Sequence, residues 1–137
     1  MAYLKKSDWL KSTATRIIEL IQEGKFPDAQ ASSELLHELY CVFSDHAPLS
    51  TLKANFARIV TIPNLEFIDA TPETYISAVH LAESFSVTSI FDAIHAATAL
   101  GPGVPDHSIV STDEAYDRIA GLKRIDPREI VRNIPER

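Results

Sequence analysis

Apolar residues recur every three to four positions over much of the chain, which is the spacing of one face of an α-helix. Short apolar runs between these stretches are typical of buried β-strands. Helices are predicted from Ser7 or Asp8 to Gly24, at 34–43, at 50–60, from Thr71 and Pro72 onward, at 90–100 and at 114–119, and strands at 28–31, 65–68, 108–111 and 123–125. Because strands alternate with helices, the pattern predicts an α/β fold with a mainly parallel sheet.

The composition narrows the class of protein. The chain has 137 residues, and we expect residues 1–137 to form a single domain. A net charge of −6 argues against a general binder of polyanions. The single cysteine, Cys41, excludes an internal disulfide, which fits a reducing, cytoplasmic compartment. We expect neither a signal peptide nor a membrane-spanning segment.

The acidic residues are distributed unevenly. Between Val60 and Arg118 the chain has nine Asp and Glu residues and no Lys or Arg. Asp92 at the start of a predicted helix and Asp113 just after a predicted strand therefore have few basic residues near them in sequence, and Glu38 lies on a largely apolar helix. A carboxylate in such a setting is costly unless a cation meets it. A divalent cation is the counter-charge that we expect.

Each of these three carboxylates also has a simpler interpretation. Glu38 could lie at the rim of its helix and face water. Asp92 could be a helix-start carboxylate that the helix dipole favours. Asp113 could cap the short helix that follows it, although Thr112 could do so instead. Spacing alone does not decide between these roles and a metal site.

Three segments of the chain resemble motifs of PIN-domain proteins. Residues 89–97 (SIFDAIHAA) resemble the central motif of that family, and residues 110–119 (VSTDEAYDRI), with Gly121 and Leu122 after them, resemble its closing motif. Residues 33–39 (SELLHEL) are similar to the helix that carries its second acid. Order and spacing match from Tyr3 to Pro127. The resemblance implies a three-layer α/β/α fold with a mainly parallel sheet.

The resemblance also implies a function. It indicates a Mg²⁺- or Mn²⁺-dependent ribonuclease, like the VapC-type toxins of prokaryotic toxin–antitoxin pairs. Glu38, Asp92 and Asp113 would then be metal ligands. RNA as the substrate, a small antitoxin protein as a partner and a homodimer are implied in the same way.

Further residues of the closing motif acquire roles from the resemblance. Asp117 would be an auxiliary acid that helps to position water or metal; a surface carboxylate paired with Arg118 or Arg124 is the open alternative. Ser111 and Thr112 would hold Asp113 in place by hydrogen bonds. Candidates for phosphate contact are Arg118, Lys123 and Arg124.

One feature of the family is missing from the sequence. Family members begin with an apolar strand that ends in an aspartate, a principal metal ligand, and residues 1–8 resemble instead the segment after that strand. The chain is therefore expected to be N-terminally truncated relative to the family, either because its start is assigned too far downstream or because it is a decayed paralogue. The alternative function is a catalytically inactive PIN-like module that binds RNA or a protein partner.

Two other residues have reactive side chains. His95 lies about one turn after Asp92 and invites an interpretation as a ligand or base, but a histidine in an alanine-rich helix is more often packed and hydrogen bonded, which is the role expected here. Cys41 has no second cysteine near it, and we predict that it is a core residue.

Overall fold

A computed structural model of the chain describes residues 10–134. The chain alternates between helices and short strands, and the structure is mixed α/β with parallel strand pairs. In order, the elements are α1 (Lys11–Gln22), β1 (Gln30–Ser32), α2 (Glu34–Phe43), α3 (Leu49–Val60), β2 (Glu66–Ile68), α4 (Pro72–Phe85), α5 (Ile90–Ala99), β3 (Ser108–Val110), a 3₁₀ helix (Glu114–Arg118), β4 (Lys123–Ile125) and α6 (Pro127–Asn133).

The predicted order of elements is confirmed, with two differences near the end of the chain. The segment after Asp113 is a 3₁₀ helix rather than an α-helix. Helix α6 was not predicted from the sequence. It begins where Asp126 accepts a hydrogen bond from the Arg128 N–H and Pro127 occupies the first helical position. This combination is a normal helix start. The predicted start of α1 at Ser7 or Asp8 lies outside the described residues.

Local side-chain hydrogen bonds set the starts of the two helices that pack most closely. Thr71 and Thr74 form a reciprocal capping box at the start of α4, with Pro72 at its first position. At the start of α5, the Ser89 hydroxyl accepts a hydrogen bond from the N–H of Asp92. This cap fixes Asp92 in the first turn of α5, as the sequence predicted.

The strands form two sheets rather than the single sheet that was expected. β1 pairs in parallel with β2, and β3 pairs in parallel with β4. Within residues 10–134 no strand joins the two pairs. Helices connect the two halves instead, because α2 contacts α5 and α1 contacts α6.

The main core lies between α4, α5 and the 3₁₀ helix. Helix α5 presents alanines on the face that meets α4, including Ala93 and Ala96, which are both fully buried. Small side chains allow two helix backbones to approach closely, so the alanines of α5 account for its close packing against α4. Ile94 and Tyr116 fill the remaining space of this core.

Two further findings concern the surface. Among the described residues, no helix combines the length and apolar character that crossing a membrane requires. Cys41 is exposed, so its prediction as a core residue is wrong. It lies on the face of α2 opposite the buried Leu39, because residues two apart on a helix point in very different directions.

The burial of Ile94 in the core leads to a first prediction. Ile94→Ala should lower the free energy of unfolding by about 2–5 kcal/mol, because it removes methylene groups from a tightly packed site and leaves a cavity. Ile94 is 1% exposed, whereas Ile76 on the outer face of α4 is 72% exposed. Ile76→Ala, the matched control, should change stability by less than about 0.5 kcal/mol in the same denaturant titration. Equal losses in the two variants would contradict this account of the core.

Candidate functional site

The structure brings Glu38, Asp92 and Asp113 into one neighbourhood from three separate elements. Glu38 lies on α2, Asp92 in the first turn of α5 and Asp113 just after β3. Glu38 and Asp92 line the same cavity of about 1080 Å³. The negative charges of Asp113 and Glu38 both act on Asp92. Residues that are 21 or more positions apart in the sequence therefore lie close enough for their charges to act on Asp92.

The carboxylate of Glu38 is hydrogen bonded to a histidine side chain. His95 on α5 contacts it at 2.9 Å between Nε2 and Oε2, and the two side chains are 19% and 20% exposed, with His95 the less exposed. The hydrogen bond from His95 is the main reason that the pKa of Glu38 lies below its usual value, and burial opposes it. Glu38 is therefore not a carboxylate that faces water at a helix rim. His95 is packed and hydrogen bonded, as predicted.

Asp92 has a tyrosine partner. The hydroxyl of Tyr116, from the buried face of the 3₁₀ helix, donates a hydrogen bond of 3.1 Å to Oδ1 of Asp92. Burial is the main cause that raises the pKa of Asp92, and the charges of Asp113 and Glu38 add to it. Burial and the neighbouring charge of Asp92 also raise the pKa of Tyr116. Sequence reasoning missed Tyr116 as a site residue, although its position three residues after Asp113 was the available signal.

Asp113 begins the 3₁₀ helix. Its Oδ1 accepts a hydrogen bond of 2.9 Å from the N–H of Ala115, which is the capping role that the sequence left open. The Ser111 hydroxyl accepts a hydrogen bond of 3.0 Å from the N–H of Asp113, so Ser111 positions this residue through its backbone. Thr112 makes no comparable bond to Asp113 in the part of the chain that the structure describes.

Asp117 forms a two-point ion pair with Arg124. The guanidinium donates from Nε at 3.0 Å and from Nη2 at 3.1 Å to the two carboxylate oxygens of Asp117. Its remaining Nη1 donates to the C=O of Ser111 at 3.2 Å. The sequence left open that Asp117 is a surface carboxylate paired with Arg118 or Arg124. The structure shows the pair with Arg124. Arg124 also ties the loop that carries Asp113 to β4.

The side chains of the site have the donor chemistry of a metal site but not its spacing. Three carboxylates are suitable donors for a hard divalent cation, and Glu38 and Asp92 each have a second oxygen that is not engaged by His95 or Tyr116. Among residues 10–134, however, no three acidic, histidine or cysteine side chains lie close enough together to bind one ion. The donor chemistry fits Mg²⁺ or Mn²⁺, but the spacing of Glu38, Asp92 and Asp113 does not enclose an ion in this arrangement.

Comparison with known proteins does not assign this chain to a family. No protein-family model matches this chain, and no curated protein is significantly similar to it.

The raised pKa of Asp92 makes a second prediction. Its folded-state pKa lies above the unfolded value, so the folded protein favours the protonated form and carries the cost of the ionised form at higher pH. Asp92→Asn removes this charge and keeps an oxygen for the Tyr116 hydroxyl. We expect the variant to be more stable than the wild type near about pH 7 and the advantage to disappear as the pH falls below the ordinary Asp pKa of about 3.9.

Urea titrations at several pH values measure this difference. Asp45→Asn is the matched control, because Asp45 is an exposed residue in the loop between α2 and α3, and it should show no such pH-dependent gain. A loss of stability in Asp92→Asn at neutral pH would contradict the electrostatic description of the site.

Proposed function

We propose that this chain is a PIN-type ribonuclease with a three-layer α/β/α fold, which hydrolyses RNA phosphodiester bonds with the help of Mg²⁺ or Mn²⁺. The observation that carries the proposal is the position of Asp92, which lines one cavity together with Glu38 and lies close enough to Glu38 and Asp113 for both of their charges to act on it. Like charges that repel one another in a cleft are common at sites where a cation or a substrate supplies the missing opposite charge.

The metal would be held by Glu38, Asp92 and Asp113. When bound, such an ion lowers the pKa of a water molecule and offsets the negative charge that develops at phosphorus. The chain's own residues keep the ligands in place: His95 orients Glu38, and Tyr116 orients Asp92. Both contacts would adjust for the acids to approach one ion, because the present spacing is too wide.

The surroundings of Asp113 support the same proposal. Arg124 binds both the Ser111 backbone and the Asp117 carboxylate, and Asp117 would be the auxiliary acid of the proposed site. Arg118 and Lys123 are exposed, so both would be candidates for contact with the phosphates of an RNA chain. By the same resemblance we propose the toxin of a toxin–antitoxin pair as its role, with an antitoxin protein as partner, a homodimer as its state and the cytoplasm as its location.

Cleavage of labelled single-stranded RNA tests the ribonuclease proposal. With Mn²⁺ present, wild-type protein should release shorter products, and Asp92→Asn and Asp113→Asn should each lose at least about 100-fold in rate because a ligand is gone. Asp45→Asn should retain the wild-type rate. Wild-type rates in both site variants would show that the cleavage comes from elsewhere, such as a contaminating nuclease.

A second candidate function has its own support. Glu38, Asp92 and Asp117 are each hydrogen bonded to another side chain of the protein, and no close group of three metal-binding side chains is found in the described residues. This arrangement suits a catalytically inactive PIN-like module that binds RNA or a protein partner and needs no metal.

Thermal unfolding with Mn²⁺ separates the two candidates. An ion that binds only the folded state stabilises it by about 2.7 kcal/mol at 100 times its Kd, so Tm should rise with Mn²⁺ concentration for a metal enzyme. The rise should vanish in Asp92→Asn. An unchanged Tm at millimolar Mn²⁺, combined with RNA binding but no cleavage, would favour the inactive module.

A further inference from the structure

Among residues 10–134, β1 has one edge without a partner strand. It pairs with β2 on its other edge. In a parallel ladder the N–H and C=O of one residue point to the same side while those of the next point to the other. The N–H of Glu66 donates to the C=O of Ala29 at 3.1 Å, which fixes the alternation. The register therefore directs the N–H and C=O groups of Gln30 and Ser32 away from β2.

β3 has a matching open edge. The N–H of Lys123 donates to the C=O of His107 at 2.9 Å, so the register directs the backbone groups of Ser108 and Val110 away from β4. Within residues 10–134, neither open edge has a backbone hydrogen-bond partner. Ser32 is only 6% exposed, and a buried backbone group without a partner is costly.

The two open edges border the same cavity. Residues 29–32 and residues 108–111 all line the space of about 1080 Å³. Consecutive side chains of a strand point to opposite faces of the sheet, so a cavity over one face would contact alternate residues only. Contact with four consecutive residues of both strands places the cavity between the edges. We call this space the strand slot.

The edges of the strand slot run in the same direction. The helix that follows each strand contacts the start of α5: Glu38 on α2, after β1, is 2.9 Å from His95, and Tyr116 on the 3₁₀ helix, after β3, is 3.1 Å from Asp92. The carboxyl-terminal ends of β1 and β3 therefore lie at the same end of the slot. A single extended segment can pair in parallel with both strands at once, because its residues alternate between the two edges.

The lining defines the chemistry of the segment that fits. The sides of the strand slot are apolar, with Ile17 and Ile21 from α1, Leu35 from α2, Ala99 from α5, Ile125 from β4 and Ile130 from α6. Carboxylates lie at both ends: Glu38 and Asp92 at one, and Asp28 and Asp106 before β1 and β3 at the other. Lys25 is the single Lys or Arg among the described residues that line it.

We propose that the strand slot binds one extended peptide segment of a partner protein, apolar in its middle and basic at both ends, as a strand parallel to β1 and β3. The backbone of this segment would pair with the groups of Gln30, Ser32, Ser108 and Val110 that have no backbone partner within residues 10–134. Its apolar side chains would fill the space between α1 and α5, and its basic ends would meet the carboxylates. The two sheets would become one, whether or not the chain is a nuclease.

A synthetic peptide tests this site directly. The probe is a capped peptide of about seven residues, with valine and isoleucine alternating between two terminal lysines, which matches a common strand length. We expect the amide protons of Gln30, Ser32, Ser108 and Val110 to become protected from hydrogen exchange when it binds. Those of Ala31 and Ile109 point to β2 and β4, so they should be protected already and serve as the internal control.

Two matched changes establish that pairing in the slot causes the protection. A peptide with proline at its centre lacks one N–H and should bind at least about tenfold more weakly. In the protein, Ile17→Trp or Ile130→Trp should fill the slot and block the peptide. Ile76→Trp on the outer face of α4 should leave binding unchanged. Far-UV circular dichroism and Tm verify that each variant is folded.

Each outcome decides the proposal. Protection that alternates along β1 and β3 and is lost in a folded slot variant supports it. No binding at millimolar peptide overturns it. Protection of Gln30 and Val110 before any peptide is added also overturns it, because the slot is then filled by the chain itself or by a second copy, which light scattering distinguishes by mass.

Discussion

The close packing of α5 against α4 is the constraint on which the rest of the structure depends. Ala93 and Ala96 allow the two helix backbones to approach, and Ile94 anchors α5 in the core. Because α5 also contacts α2 and β3, its position determines how the two halves of the molecule meet. The same helix carries Asp92 and His95, so the packing that forms the core also sets the geometry of the candidate site.

Hydrogen bonds from His95 and Tyr116 reduce the free-energy cost of burying the charges of Glu38 and Asp92. The tyrosine hydroxyl at Asp92 lowers the cost of its charge, but burial and two neighbouring carboxylates outweigh it, and the pKa of Asp92 remains raised. Glu38 differs, because the hydrogen bond from His95 lowers its pKa. Two carboxylates of one neighbourhood are thus shifted in opposite directions by their different partners. The excess of negative charge at Asp92 is the property that a bound cation would relieve.

Most of the secondary structure could be predicted from the sequence because its signals are local. The Thr71 and Ser89 caps and the 3.6-residue periodicity of α2 and α5 depend on residues close in the chain. α6 was not predicted because its start signals, Asp126 and Pro127, come directly after a predicted strand and near the end of the chain. Cys41 was misplaced because its neighbours are apolar, whereas its burial depends on which side of α2 meets the core.

The contacts within the site could be predicted only in part. The three acids were selected from the scarcity of nearby Lys and Arg and from a resemblance, but their partners come from distant positions. His95 reaches Glu38 across 57 positions, and Tyr116 reaches Asp92 across 24. Arg124 is seven positions from Asp117, and this shorter separation is why that pair could be named in advance as an alternative. No local pattern specifies which of two hydrogen-bonding side chains will meet when separate elements pack.

The open strand edges and two of the acids border the same space, which lies between β1 and β3 where no described residue forms a strand common to both. A backbone that pairs with both strands would replace water along the strand slot, and carboxylates lose solvation when water is excluded. Glu38 and Asp92 line that slot, so filling it would increase the desolvation that already raises the pKa of Asp92. The need for a cation near these acids would then be greater in the filled state than in the open one. Completion of the sheet and neutralisation of the acids are thus physically coupled, and the cation can come either from a metal ion or from a basic residue at the end of the inserted segment.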